Sequence, residues 1–375
     1  MPPSLPYTTE LALALRAVHG ASLLTKSVLR SLNHSVSAET KADSSPVTIA
    51  DFAAQALLIS ALHAVFPSDA FLGEESAAQL RADDALAARV WELVQRAAAA
   101  QAHDGQDADL ALPQSKQQML DAIDLGATTA SARTGRVWVL DPVDGTATFM
   151  EGQQYAVCLC LVVDGTQRVA AIGCPNLSVD MSDSDSGSSP RITEDGVDSE
   201  GFGVLVSAVV GQGTHMRTMH ASSLGPARPV RHDAAERPDG ADLAALHFVE
   251  STLGKTSLSQ DEHRAVAHRL GAQWPGTVLW SQQMKYVALT LGACDVLLRV
   301  PKTRERYTYL WDHAGGHLLF TEAGGKVRDF EGGEIDFGQG RRIEGERNFG
   351  MVATWPWCFD AVSEAVRGVL ADRPR

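Results

Sequence analysis

The sequence contains no apolar stretch long enough to cross a bilayer, and its start, Met1-Pro2-Pro3-Ser4-Leu5-Pro6, lacks the basic residues and apolar run of a secretory signal. A membrane or secreted protein is therefore not expected; the cytoplasm is, with the nucleus as the second compartment to consider. Cysteine is scarce, five residues with no Cys-x-x-Cys pair, which argues against a disulfide framework and suits a reducing compartment. The twelve histidines show no zinc-ligand spacing. Positive charge is also short: 32 Lys and Arg stand against 46 Asp and Glu, a formal charge of −14. Such a surface repels polyanions, so neither a nucleic-acid polymer nor an anionic membrane is an expected partner. A small phosphorylated molecule is not excluded, because bound cations reverse the field inside a single pocket. There is no internal repeat. What is present, 375 residues that are 45% hydrophobic, suffices for two packed domains or one large one.

Periodicity predicts helices from Thr8, with Leu11, Leu15 and Val18 on one face, and from Asp51, with Phe52, Gln55, Ala56, Ile59 and Leu62 aligned. Ala70-Phe71-Leu72 reads as a short strand leading into Gly73-Glu74-Glu75-Ser76. Val137-Trp138-Val139-Leu140 reads as a buried strand stopping at Asp141-Pro142. Val157 to Val163 and Val169 to Gly173 form a hairpin about Asp164-Gly165. Asp43-Ser44-Ser45-Pro46 reads as a turn, residues 103–107 as an exposed excursion and residues 181–190 as a polar loop. The domain boundary is placed near Pro175, giving domains 1–175 and 176–375. Beyond it, strands are expected at Gly203–Val209, Leu246–Glu250 and Asp295–Val300. Helices are expected at Asp261–Leu270, Lys285–Leu291, Asp312–Glu322 and Phe359–Leu370, and Gly324-Gly325 fits a helix C-terminus. Strands and helices mix without strict alternation, so stacked layers are expected.

Chemistry is concentrated in carboxylates that follow short apolar strands or open helices: Asp51, Glu74-Glu75, Asp141 with Asp144, and Asp312. In Leu140-Asp141-Pro142-Val143-Asp144-Gly145-Thr146, a bend at Pro142 lets Asp141 and Asp144 converge on one cation, and the Val143 carbonyl can add a third hard oxygen ligand. The amides of Gly145 and Thr146, if they open a helix, point at an anion. The plainer alternatives are a polar turn for this segment, a helix-start carboxylate for Asp51, a role behind the ligands or at the surface for Glu75, an N-cap for Asp312 and a helix lysine reaching to solvent for Lys285.

Trp138-Val139-Leu140-Asp141-Pro142-Val143-Asp144-Gly145-Thr146 resembles the first signature of the inositol monophosphatase superfamily. Trp311-Asp312-His313-Ala314-Gly315-Gly316 with Glu322-Ala323-Gly324-Gly325 resembles the second. Gly73-Glu74-Glu75-Ser76 and Pro46-Val47-Thr48-Ile49-Ala50-Asp51 are similar to two further blocks, and all four stand in family order. Gln153 to Leu159, Ile172 to Leu177, Gln283-Met284-Lys285-Tyr286, Leu298 to Pro301 and Ile335 to Gly338 resemble the 3′(2′),5′-bisphosphate nucleotidase branch. The resemblance implies a layered α/β (α/β/α/β/α) sandwich, with an N-terminal α+β domain and a C-terminal α/β domain. It also implies a phosphomonoesterase that uses two to three Mg²⁺ ions and is sensitive to lithium. Glu74, Asp141, the Val143 carbonyl, Asp144 and Asp312 would hold the metals. Asp51 would accept a proton or support an outer metal, and Thr146 with Glu74 would orient the attacking water. Gly145, Thr146, Ser257, Gln282, Lys285, Arg299 and Asp312 would contact substrate. A monomer is implied rather than a dimer.

The resemblance is weaker around the substrate. Ala147-Thr148-Phe149 and Glu151 replace a Lys-Gly-Phe and an Arg, Ser257 stands where a His is expected, and Gln282 where a Ser is. The leading expectation is removal of the 3′(2′)-phosphate from adenosine 3′,5′-bisphosphate, or from its 5′-phosphosulfate form. The alternatives are a phosphatase for inositol phosphates or another small metabolite, and a phosphonucleotide-binding protein without turnover. Gly254-Lys255-Thr256 and Gly201-Phe202-Gly203 imitate nucleotide loops but lack the glycines those motifs need. Cys158 and Cys160 read as buried apolar thiols, and His313 as a support for Asp312.

Overall fold

The structure, a computed structural model, describes residues 5–31, 38–40, 46–103, 110–128, 132–178, 191–230, 242–251 and 257–373. The expected turn at 43–45, most of the excursion at 103–107, the polar loop at 181–190 and Gly254-Lys255-Thr256 lie outside the described residues.

In chain order, helix α1 (Thr8–Ser31) precedes a short antiparallel pair, β1 (Ala38–Thr40) and β2 (Pro46–Thr48), and then α2 (Ile49–Val65). Strand β3 (Ala70–Gly73), helices α3 (Ala78–Ala82), α4 (Asp84–His103) and α5 (Lys116–Gly126), strand β4 (Arg136–Asp144) and helix α6 (Thr146–Met150) follow. Strands β5 (Ala156–Val163), β6 (Thr166–Cys174), β7 (Val204–Val209), β8 (Thr214–Thr218) and β9 (Arg228–Val230) complete a seven-stranded sheet in the order β3-β4-β5-β6-β7-β8-β9. It is antiparallel except for β3 against β4. Because β7 pairs with β6 across Pro175, this sheet takes strands from both sides of the position where the boundary was drawn. The change of sheet falls after Val230.

The second sheet is built from β10 (Phe248–Glu250), β11 (Thr277–Val278), β12 (Val296–Arg299), β14 (Lys326–Arg328) and β16 (Met351–Thr354), in the order β11-β10-β12-β16-β14. Its helices are α7 (Gln260–Arg269), α8 (Gln282–Thr290), α9 (Ala314–Glu322) and α10 (Pro356–Ala371), and a small ribbon pairs β13 (Thr308–Tyr309) with β15 (Arg342–Ile343).

The layers follow from which faces are apolar. Along β4, β5 and β6, the side chains of Trp138, Leu140, Leu159, Leu161, Val169 and Ala171 pack with α1 and α2. The alternate set, Val137, Val139, Cys158, Cys160, Ala170 and Ile172, packs toward α8 and α9. A sheet covered on both faces needs continuous apolar strands, which is why β5 reads Ala-Val-Cys-Leu-Cys-Leu-Val-Val without alternation. Helices α8 and α9 then lie on the second sheet, and α7 and α10 close its far side, giving α/β/α/β/α layers. The β5–β6 hairpin turns through Asp164 and Gly165, both with positive φ (49° and 78°), as a two-residue type I′ connection requires.

Four boundaries near the site differ from the sequence reading. Helix α2 starts at Ile49, two residues before Asp51, and α8 starts at Gln282, where Ser281 caps it. Helix α9 starts at Ala314 with His313 as N-cap, so Asp312 precedes the helix and does not cap it. Strand β4 does not stop at Asp141. It continues to Asp144 through a register shift, with Asp141 opposite Cys158 and Asp144 opposite Ala156. Among the described residues, no helix is long and apolar enough to cross a membrane.

Candidate metal and phosphate site

The register shift in β4 makes the site possible. In a regular strand, residues three apart point to opposite faces; one extra residue between Asp141 and Asp144 returns both carboxylates to the same side. Pro142, which cannot donate to a ladder, sits inside the bulge, where a proline is tolerated. Oδ1 of Asp141 accepts from the Val143 N–H at 3.2 Å, closing the turn locally. With Asp312, delivered from the other sheet's side, these two carboxylates place ligand oxygens within 4.8 Å of one another.

Asp144 is 7% exposed and held from α8. Its Oδ2 accepts from the Ser281 hydroxyl and from the Gln283 N–H (2.6 Å), while Ser281 Oγ also accepts from Met284 N at 3.0 Å. One hydroxyl therefore caps the helix and orients the carboxylate, and the carboxylate lies at the positive end of the helix dipole. Asp312 is steadied by a polar chain. Its Oδ2 lies 3.2 Å from Thr308 Oγ1, Thr308 Oγ1 lies 2.9 Å from His313 Nε2, and His313 Nδ1 lies 3.1 Å from the Tyr286 hydroxyl. Burial holds the His313 imidazole well below its ordinary pKa and hence neutral, so the donors run in one direction: Tyr286 to His313, His313 to Thr308, Thr308 to Asp312. His313 is completely buried, the supporting position read from the sequence.

Glu74 follows β3, whose last residue, Gly73, is paired with Leu140, so the parallel register carries Glu74 beside Asp141. Asp51, in the first turn of α2, is completely buried. The acids share one field. Burial, and after it Glu74, Asp144, Asp312 and Asp51, push Asp141 well above the usual carboxylate range. Burial and then Asp144 push Asp312 up to about 7, against the opposing pull of Arg299. Asp144 is raised by burial, a shift reduced by its bonds from Ser281 and Gln283 and by the charge of Lys285. Carboxylates packed this closely away from water cannot all ionise unless cations join them. An all-oxygen donor set of this kind fits hard divalent ions such as Mg²⁺.

Next to the cluster, Gly145 adopts φ 94° as it passes from β4 into α6. A Cβ there would lie 2.8 Å from Thr148 Oγ1 and 3.0 Å from Ser281 Cβ, so only glycine fits both the angle and the space. Thr146 opens α6, and its hydroxyl donates to the Val143 carbonyl at 3.2 Å.

The remaining candidates divide between two places. Lys285 is 4% exposed, so it is not a lysine reaching to solvent; its Nζ lies 3.4 Å from the Trp280 carbonyl. Burial lowers its pKa to about 8, opposed by Asp144, Glu250 and Glu194. Gln282 meets Asp144 through its backbone N–H, and its side chain is nearly buried. Ser257 and Arg299 instead line a small cleft together with Arg306, Tyr307 and Thr308. Glu75 is not at the surface: it is 4% exposed, and its backbone is bracketed by Gln55, which accepts from the Glu75 N–H (3.0 Å) and donates to its carbonyl (2.8 Å).

Ser281, Thr308 and Gln283 escaped the sequence reading as parts of the site. Gln283 does most to join its halves. Besides its N–H on Asp144, its Nε2 donates to the Trp311 carbonyl (2.6 Å), adjacent to Asp312, and its Oε1 accepts from Gly316 N (2.7 Å) in α9. The available signal was its place in the Gln283-Met284-Lys285-Tyr286 block.

Residues 7–355 match the model of the inositol monophosphatase family. A protein of Emericella nidulans named 3′(2′),5′-bisphosphate nucleotidase is 40% identical over 97% of this chain and 99% of its own length. A Schizosaccharomyces pombe protein of the same name is 37% identical over 98% of each chain. Among solved structures, a Thermotoga maritima IMPase superposes with a TM-score of 0.56 at 16% identity, covering 97% of this chain and 99% of that one, and shares the fold.

Proposed function

The chain belongs to the inositol monophosphatase family, and on that premise we propose that it is a phosphomonoesterase that removes the 3′(2′)-phosphate of adenosine 3′,5′-bisphosphate with Mg²⁺ as cofactor. The observation that carries this reading is the meeting of Asp141, Asp144 and Asp312 within 4.8 Å, beside the Gly145–Thr146 turn. Glu74, Asp141, Asp144, Asp312 and the Val143 carbonyl would hold two to three ions. Bound there, the ions neutralise the phosphate and promote ionisation of water near neutral pH.

The protein's own residues supply the rest. The N–H groups of Gly145 and Thr146, at the start of α6, face the place a phosphate oxygen would take. Thr146 and Glu74 orient a water in line with the ester bond, and Asp51 accepts its proton. Ser281 and Gln283 on one side and Thr308 on the other fix two of the acids before substrate arrives, so no reorganisation is needed at the reacting centre. Ser257, Gln282, Lys285 and Arg299 contact the remainder of the substrate. The active species is proposed to be a monomer.

The test is phosphate release from adenosine 3′,5′-bisphosphate by purified protein, with Mg²⁺ and with EDTA. Release that requires the cation supports the proposal, and no release from this nucleotide removes it. The same assay on the 5′-phosphosulfate form and with added Li⁺ examines the two finer expectations. Faster turnover of an inositol phosphate would favour that substrate instead.

A further inference from the structure

Strand β12 ends at Arg299, and the following segment places Arg306 and Tyr307 in one small cleft with it, together with Ser257 and Thr308. The two guanidiniums are near enough for Arg306 to oppose the charge of Arg299. Three neighbouring arginines are matched by carboxylates, Arg304 with Glu331, Arg347 with Asp336 and Arg373 with Glu262, while Arg342 lies over the Tyr307 ring. Among the described residues, the Arg306 side chain has no ion pair or hydrogen bond, and it is exposed. Asp312 offsets part of the charge of Arg299, but none of the described carboxylates pairs with Arg306, and a guanidinium matches phosphate in shape as well as sign.

The cleft also shares a wall with the acidic cluster. Thr308 lines it and at the same time donates to Asp312, and Arg299 is close enough to Asp312 to lower its pKa. A ligand anchored at the two arginines therefore has its far end beside the carboxylates. We propose that Arg306 is a specificity-determining residue which, with Arg299, grips a second, non-reacting phosphate, so that the enzyme selects small molecules carrying two phosphates over those carrying one. This rests on the proposed phosphomonoesterase reaction at the acidic cluster. It adds a residue that the sequence motifs do not contain.

The experiment compares wild type, Arg306→Ala and Arg306→Lys on adenosine 3′,5′-bisphosphate and on adenosine 3′-phosphate, which lacks the remote group. Arg306→Ala is expected to raise KM for the bisphosphate about 10-fold, as for loss of one charge-assisted contact, with kcat unchanged. Both parameters for the monophosphate should stay as they were, and Arg306→Lys should recover part of the loss. Equal effects on the two substrates, or none on the bisphosphate, overturn the proposal. Calorimetric titration with adenosine 5′-monophosphate in EDTA gives an arm independent of turnover, since the acidic cluster without cations repels phosphate. There, Arg306→Ala should bind about 10-fold more weakly. If neither substrate is hydrolysed, the phosphomonoesterase reading falls and this titration alone decides. Equal binding by wild type and variant, or no binding by wild type, overturns the role of Arg306.

Discussion

Replacing Gln283 with leucine is the most informative single change. The side chain is completely buried and bonded at both ends, to the Trp311 carbonyl at 2.6 Å and the Gly316 N–H at 2.7 Å. Gly316 lies in the first turn of α9, where a backbone N–H has no partner within its own helix, so leucine leaves it orphaned. The Trp311 carbonyl loses its donor in the same step. Each buried group left unsatisfied costs about 1–3 kcal/mol, so the variant should lose about 2–6 kcal/mol. That is less than the whole stability of most domains, roughly 5–15 kcal/mol, so the protein should still fold. Because the backbone bond from Gln283 to Asp144 survives the change, the damage should fall on the Asp312 side of the cluster. Urea unfolding in EDTA measures the first effect. The Mg²⁺ concentration for half-maximal phosphate release measures the second and should rise. A stability change below about 0.5 kcal/mol with an unaltered Mg²⁺ requirement would refute the view that Gln283 joins the two halves of the site.

Asp141→Asn removes one of several repelling charges, so the metal-free protein should be no less stable than wild type, while phosphate release falls at least ~10²-fold. Its melting temperature should no longer rise with Mg²⁺, and a normal Mg²⁺-induced rise would count against Asp141 as a ligand. Asp312, raised from the ordinary carboxylate range to about 7 when folded, keeps its proton longer in the native state. The stability it contributes is therefore present at low pH and lost as pH rises from about 4 to about 7. In EDTA the melting temperature of wild type relative to Asp312→Asn should fall across that window; a rise would contradict the sign. Ser281→Ala removes both a helix cap and a bond to Asp144, and should cost about 1–2 kcal/mol in denaturant unfolding while raising the Mg²⁺ requirement. An unchanged requirement would assign Ser281 to capping alone.

Much of the site was legible because its acids follow recognisable local signals. A carboxylate after a short apolar strand marks Glu74 and Asp141, and the Asp-Pro-x-Asp-Gly-Thr turn marks both the bulge and the amides beyond it. Ser281 was overlooked because the helix was expected to begin only at Lys285, which leaves the serine outside its first turn. Arg306 was overlooked because an arginine in a polar loop carries no signal until its neighbours in space are known. A surface position was one alternative for both Glu75 and Lys285, because charge usually predicts exposure. Gln55 and the cluster around Asp144 reverse that for these two.

From the sequence alone come the residue types, their order and the apolar runs of the strands, because these depend on periodicity and turn chemistry within a few neighbours. Tertiary structure alone decides that β7 to β9 extend the first sheet past Pro175, and that Asp312 meets Asp141 and Asp144 from more than 160 positions away. It also decides that one buried glutamine ties those halves together. Such pairings are selected by which faces can be buried together and which buried polar groups find partners, and neither is written in any local stretch of the chain.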